Sequence, residues 1–236
     1  MNPYQKLLGR KRTWTPVQTT AGTLVEGAEE AIYRALAMRH MELPVGSFIE
    51  DALDEIPALS ADLLRSNVKD EENHDLALGY IANALGVDPQ AEEESKRIRQ
   101  AWLSHPDHTV LKALVAERAI FFVLLPFFRF NGDAGLRTVS ADISRDEQVH
   151  VATNSLVARE LNLNWSPSLD KLRKATINWV LQPLGNSPNK YLNKKFWLDA
   201  SDRLMYEGKA PELADTKRAR MPAFFEHANP NLPQYA

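Results

Sequence analysis

Two short stretches decide how this chain folds: Asp70-Glu71-Glu72-Asn73-His74 and Asp146-Glu147-Gln148-Val149-His150. Both read Asp-Glu-x-x-His. Residues three apart on a helix leave from one face, with Cβ atoms roughly 5–6 Å apart, so Glu and His at that spacing reach one metal ion together. Two such helices facing each other give each of two ions an imidazole and let carboxylates bridge them. With six His in 236 residues, a random Glu meets a His three places on only about once in forty. One occurrence would carry little weight; two, each preceded by Asp on a long amphipathic segment, carry much.

Outward from these motifs the pattern is helical throughout. The second long helix is predicted over Ala58–Leu85, opened by Pro57 and stopped by Gly86; the fourth runs Gly135–Leu161. Between them lie a charged helix, Gln90–Leu103, and a third long helix, His108–Phe130. Residues 86–107 are long enough to cross a bundle end to end. The first helix is predicted over Thr20–Met41, with Val25, Glu29, Ile32, Leu36 and Arg39 on one stripe, ended by Pro44 and Gly46. A short amphipathic piece, Ser47–Leu53, fills the connection. Two further helices, Leu169–Leu181 and Asn189–Tyr206, follow the bundle. No alternating pattern is long enough for a sheet. The predicted class is all-α, a four-helix bundle with one long crossover and additional C-terminal helices. Its organisation is an extended arm (1–19), the helical domain (20–207) and a polar loop and tail (208–236).

A dimetal bundle also needs a carboxylate from each remaining long helix. Glu117 is the sole acid between His108 and Asn131, on a stripe otherwise formed by Val110, Leu114, Phe121, Leu124 and Phe128. An ionised Glu on such a face is costly unless a cation pairs with it. On the first helix Glu29 sits centrally on the apolar stripe and Glu26 about 60° round, at roughly 100° per residue. The choice between them stays open, with Glu29 slightly favoured. The Asp before each Glu suits a different role, accepting the second N–H of a metal-bound imidazole, which fixes the tautomer and raises ligand basicity. Asp146 is placed to serve His74, and Asp70 to serve His150, each across to the facing helix.

Composition narrows the chemistry. The chain has no Cys, which excludes thiolate sites and iron–sulfur clusters and leaves oxygen and nitrogen ligands. Such a set favours iron or manganese over structural zinc. A net charge of −3 argues against nucleic acid as main partner, and the basic run Arg10-Lys11-Arg12 reads as solvated surface. The longest apolar run, Ala119–Phe128, contains Pro126 and is too short to cross a bilayer. With no secretory leader apparent, a cytoplasmic location without membrane contact is expected.

From the second helix onward the residues resemble the small, radical-generating subunit of class I ribonucleotide reductase, within the ferritin-like superfamily. The resemblance rests on Glu117-Arg-Ala-Ile-Phe-Phe, then Gly135-Leu and Ser140-Ala-Asp-Ile-Ser-Arg-Asp-Glu-Gln-Val-His150, with weaker support from Asp202-Arg-Leu-Met and Met221-Pro-Ala-Phe-Phe-Glu226. It implies a dioxygen-activating dimetal site with Glu71, His74, Glu117, Glu147 and His150 as ligands, Glu71, Glu117 and Glu147 being the catalytic carboxylates. Asp146 would lie behind them. It also implies a homodimer, and a large catalytic subunit or electron-donor protein as partner, to which a tail such as Asn229–Tyr235 would dock. One departure matters: where that family usually carries its radical Tyr, four residues after the His of helix two, this chain has Leu78.

The expected function is therefore a diiron, or manganese–iron, oxidoreductase of oxidase or oxygenase type using dioxygen, with Phe121, Leu125 and Ile143 lining its oxygen-facing side. One alternative is a ribonucleotide reductase small subunit without the usual Tyr. Another is a non-enzymatic ferritin-like iron-binding protein, against which the extra C-terminal helices argue.

Overall fold

The structure, a computed structural model, describes residues 2–55 and 60–213. Among these the chain is helical, without strands beyond one isolated bridge between Asn186 and Asn193. The bundle is built from α3 (Glu42–Ala52), α4 (Ala61–Leu85), α6 (Thr109–Ala116) continuing into α7 (Phe122–Asn131), and α8 (Ala134–Glu160). α3 packs on α4 and α6, while α8 packs on α4, α6 and α7. The crossover α5 (Pro89–Leu103) lies against α2 (Glu29–Ala37) and α9 (Pro167–Leu181). This is the all-α, ferritin-like bundle with a long crossover and added C-terminal helices. The predicted start of helix two at Ala58, the Met221–Glu226 stretch and the Asn229–Tyr235 tail lie outside the described residues.

Local chemistry sets the ends. Asp133 caps α8 by accepting from the Leu136 N–H at 2.8 Å, and its other oxygen accepts from the Gly22 N–H at 2.8 Å, tying the incoming chain to the helix start. Side-chain oxygens at this position satisfy amides that have no partner within the helix. Gly86, at φ +89°, ends α4 in a conformation that favours glycine. Gly132 joins α7 to α8 where space, not dihedral, demands glycine: a Cβ there would stand 2.6 Å from the Phe128 carbonyl oxygen.

The first helix departs from its expected bounds at both ends. Residues 20–28 are not helical; α2 begins at Glu29, passes through a 3₁₀ turn at Met38–Met41, and restarts as α3. The restart explains how the chain passes Pro44 without stopping. Pro44 is the third residue of α3, in a first turn whose N–H groups have no intrahelical acceptor, so the missing donor costs nothing there. Gly46 then faces α4, where an added Cβ would sit in ordinary van der Waals contact, 3.6 Å from Glu71 Cβ and Cγ and from Val68 Cγ1.

The N-terminal arm differs too. Instead of running extended throughout, it opens with α1 (Pro3–Leu8), which is capped by Asn2, buries Tyr4 and Leu7, and packs on α4 and α8.

The third long helix is interrupted by a π turn at Glu117–Phe121, marked by the Phe122 N–H donating to the Glu117 carbonyl five residues back. Such wide turns leave main-chain groups needing outside partners and recur at functional positions. Here α10 (Lys194–Glu207) supplies a partner: Ser201 Oγ donates to the Ala119 carbonyl at 2.6 Å. Ser201 in turn accepts from Arg173 Nη1 at 2.6 Å. Arg173 is fully buried and also bonds Asp170 and Asp202. The C-terminal helices thus brace the wide turn that carries Glu117.

Candidate metal centre

Four Glu and two His meet in the middle of the bundle. Glu42 comes from the first turn of α3, Glu71 and His74 from α4, Glu117 from the π turn, and Glu147 and His150 from α8. Their donor atoms fall into two groups, Glu42–Glu71–His74–Glu147 and Glu71–Glu117–His150, each close enough to surround one ion. All six side chains are buried.

The distances assign roles. Glu71 turns Oε2 toward His74 Nδ1 at 3.1 Å and Oε1 toward His150 Nδ1 at 3.0 Å. Glu147 does the same, with Oε1 3.5 Å from His74 Nδ1 and Oε2 3.8 Å from His150 Nδ1. These two carboxylates span both positions. Glu42 lies only on the His74 side, 3.6 Å from Nδ1, and Glu117 only on the His150 side, 3.9 Å from Nδ1. Each position therefore offers one imidazole, one end carboxylate and a share of two bridges.

Behind the imidazoles stand the two aspartates, crossed between helices as expected. His74 Nε2 faces Asp146 Oδ2 at 3.3 Å, and His150 Nε2 faces Asp70 Oδ2 at 2.9 Å. This leaves both Nδ1 atoms turned to the carboxylates, with the ring tautomer fixed by the bond at Nε2. The imidazoles lie 5.7 Å apart, centroid to centroid.

The sequence placed Glu29, or else Glu26, as the sixth carboxylate. The structure leaves both exposed and outside the cluster; Glu29 accepts a hydrogen bond from the Gly27 N–H at 2.8 Å. Glu42 takes the place instead. Pro44 and Gly46 read as the end of the first helix, which hides a carboxylate just ahead of them; the signal is Pro44 standing where a first helical turn tolerates it.

The arm supplies further partners. Lys11, expected as solvated, is largely buried, pairs with Asp70 Oδ2, and donates to Asn67 Oδ1 at 2.9 Å. Trp14 donates its indole N–H to Asp146 Oδ2 at 2.6 Å and stacks near His74. On the far side Asn154 Nδ2 donates to Glu117 Oε2 at 2.8 Å. Nothing in the local pattern of residues 11–14 announces these contacts, because they join positions more than 50 residues apart.

Burial drives the electrostatics. It pushes the carboxyls of Glu71 and Glu117 well above the usual range, with the Glu147 charge adding to both. Glu147 is pushed up to about 7, chiefly by burial, against the pull of His74. For His74 burial favours the neutral ring, but the neighbouring carboxylates of Asp146, Glu147, Glu42 and Glu71 prevail and hold the imidazolium well above its ordinary range. His150 goes the other way, driven down by burial and then by Lys11 and His74. Lys11 is lowered to about 8 by burial, against the pull of Asp146 and the site glutamates. For Asp146 burial is outweighed by hydrogen bonds from His74 and Trp14, which keep it below its usual value.

These residues fit two cations. Glu42 Oε2, Glu71 Oε1, Glu117 Oε1, both Glu147 oxygens and His150 Nδ1 are buried without a hydrogen-bond partner. Groups so placed are rare in native interiors, and each is costly unless something pairs with it. All point into the same space. Four carboxylates balance two divalent ions in charge.

A pH dependence follows. Glu147 ionises near pH 4.5 when unfolded and about 7 when folded without metal. The folded state is thus unpenalised below about 4.5 and loses stability as pH rises through 7. The stabilisation conferred by Mn(II), which takes the place of the protons, is expected to grow between pH 5 and 8. Thermal melts of metal-free and manganese-loaded protein across that window measure it.

No protein-family model and no curated protein sequence matches the chain. Among solved structures, a Bacillus halodurans protein described as a "putative class I ribonucleotide reductase" has a similar fold. Its TM-score is 0.62 over 92% of this chain and 97% of that one, at 16% identity. The chain is similar in fold to that protein, with a His and carboxylate cluster of its own at the centre.

Proposed function

We propose that this chain is a dioxygen-activating dimetal oxidoreductase, holding two iron ions or one manganese and one iron. The observation that carries the reading is the pair Glu71 and Glu147, each aiming one oxygen at each imidazole, with Glu71 Oε1 and both Glu147 oxygens buried and left without a hydrogen-bond partner. When bound, the two ions supply Lewis acidity and the electrons for reducing dioxygen.

The residues do the rest. Glu71 and Glu147 fix the spacing of the two positions, and Glu42 and Glu117 close their outer sides. Asp146 and Asp70 hold the imidazoles by Nε2, so that Nδ1 stays directed inward. Phe121, Leu125 and Ile143, all buried in the apolar core, form the dry wall that keeps bulk water from the reacting centre. Leu78 is buried in the same core, so no phenol stands at that position to store an oxidising equivalent.

A second reading, a ribonucleotide reductase small subunit without that Tyr, draws on the fold likeness and on Trp14. This oxidisable side chain is joined to His74 through Asp146 by two hydrogen bonds. Oxygen uptake by anaerobically iron(II)-loaded protein tests the first reading. Rapid consumption on mixing is expected from the parent and none from Glu147→Gln; a parent loaded with two irons that leaves dioxygen untouched would overturn it. Hydroxylation of an added organic substrate, against a Trp14-dependent radical signal, separates the two readings.

A further inference from the structure

The six ligating groups are matched by residue type at the two positions, but what lies behind them is not. Behind His74, Asp146 receives the neutral indole N–H of Trp14. Behind His150, the single oxygen Asp70 Oδ2 is shared between the imidazole and the Lys11 ammonium. A carboxylate already paired with a cation is a poorer acceptor for the imidazole N–H, and a less basic imidazole is a weaker ligand. The ammonium also stands one carboxylate oxygen away from a ring that must bind a second cation. Glu117, the end carboxylate on this side, gives one oxygen to Asn154.

We propose that Lys11, reaching from the N-terminal arm, is a positioning residue that makes the two metal positions unequal. Through Asp70 it weakens the His150 position, so the His74 position fills first. A centre with one tight and one exchangeable ion can be loaded in order, and can accept two different metals.

This rests on the dimetal reading, and Mn(II) titration of the full chain tests the two separately. The free aquo-ion signal in electron paramagnetic resonance and the heat of binding follow uptake without any need for activity. The parent is expected to bind two Mn(II) in distinct steps. His150→Ala should remove the weaker step and His74→Ala the tighter one. Lys11→Met is expected to tighten the weaker step about tenfold, roughly 1.4 kcal/mol, and to move the tighter step less than about threefold; Lys11→Arg restores the parent pattern. Asp70→Asn weakens the weaker step, and adding Lys11→Met to it shifts that step no more than about threefold, as expected if Lys11 acts through Asp70. Should Lys11→Met not fold, Lys11→Gln removes the same charge. Two equal steps in the parent, or equal shifts of both steps on removing the lysine charge, would overturn the proposal. No uptake by the parent would instead overturn the dimetal reading.

Discussion

Replacing Glu71 and Glu147 together by Gln is expected to give a folded protein that takes up neither ion and melts above the metal-free parent. The two effects share one cause. These carboxylates are fully buried, each serves both positions, and without metal Glu71 Oε1 and both Glu147 oxygens face the end glutamates with no hydrogen-bond donor of their own. Glutamine keeps the shape and removes the charge. The gain can be sized from Glu147, whose ionisation moves from 4.5 to about 7 on folding. At about 1.4 kcal/mol per unit, the parent above pH 7 carries a penalty on the order of 3 kcal/mol at this residue alone. In a chain of this length that corresponds to a melting temperature roughly 6–12 °C higher for the metal-free variant. Below about pH 4.5 the difference vanishes, because both states of the parent are then protonated. Melts at about pH 8 and about pH 4, on either side of that range, with metal analysis of the same samples, check both halves. A variant that still binds two ions, or melts below the parent on the alkaline side, would contradict the shared cause.

Glu42→Ala is the second large effect. Among the described residues Glu42 is the sole end carboxylate on the His74 side, so its loss is expected to weaken the tighter Mn(II) step about a hundredfold or more while sparing the His150 position. Glu29→Ala and Glu26→Ala, both at exposed positions, should leave both steps unchanged. Titrations of the three variants decide between the carboxylate that the structure brings into the cluster and those that periodicity favoured.

The contrast shows what the sequence can express. Asp-Glu-x-x-His is a local pattern on an uninterrupted helix, so periodicity alone brings Glu71, His74, Glu147 and His150 to one face. Glu117 stands out because it is the one charge on an apolar stripe. The crossed pairs Asp146–His74 and Asp70–His150 follow once two such helices are set face to face. What local pattern cannot carry is a restart. The 3₁₀ turn at Met38–Met41 resets the helix so that Pro44 falls harmlessly in a first turn, and the inward carboxylate moves from Glu29 to Glu42. The π turn at Glu117 is hidden for a similar reason: one extra residue per turn leaves the apolar stripe nearly intact, and its outside partner, Ser201, lies 82 residues away. Lys11 and Trp14 belong to a segment with little periodicity of its own, and their burial depends on surfaces formed much later in the chain.

Metal stoichiometry bears most directly on the central claim. Anaerobic equilibrium dialysis of the full chain against iron(II), followed by elemental analysis, is expected to give two ions per chain, both lost in Glu71→Gln/Glu147→Gln. One ion or none in the parent, or uptake unchanged in that variant, would contradict a two-metal centre held by these carboxylates.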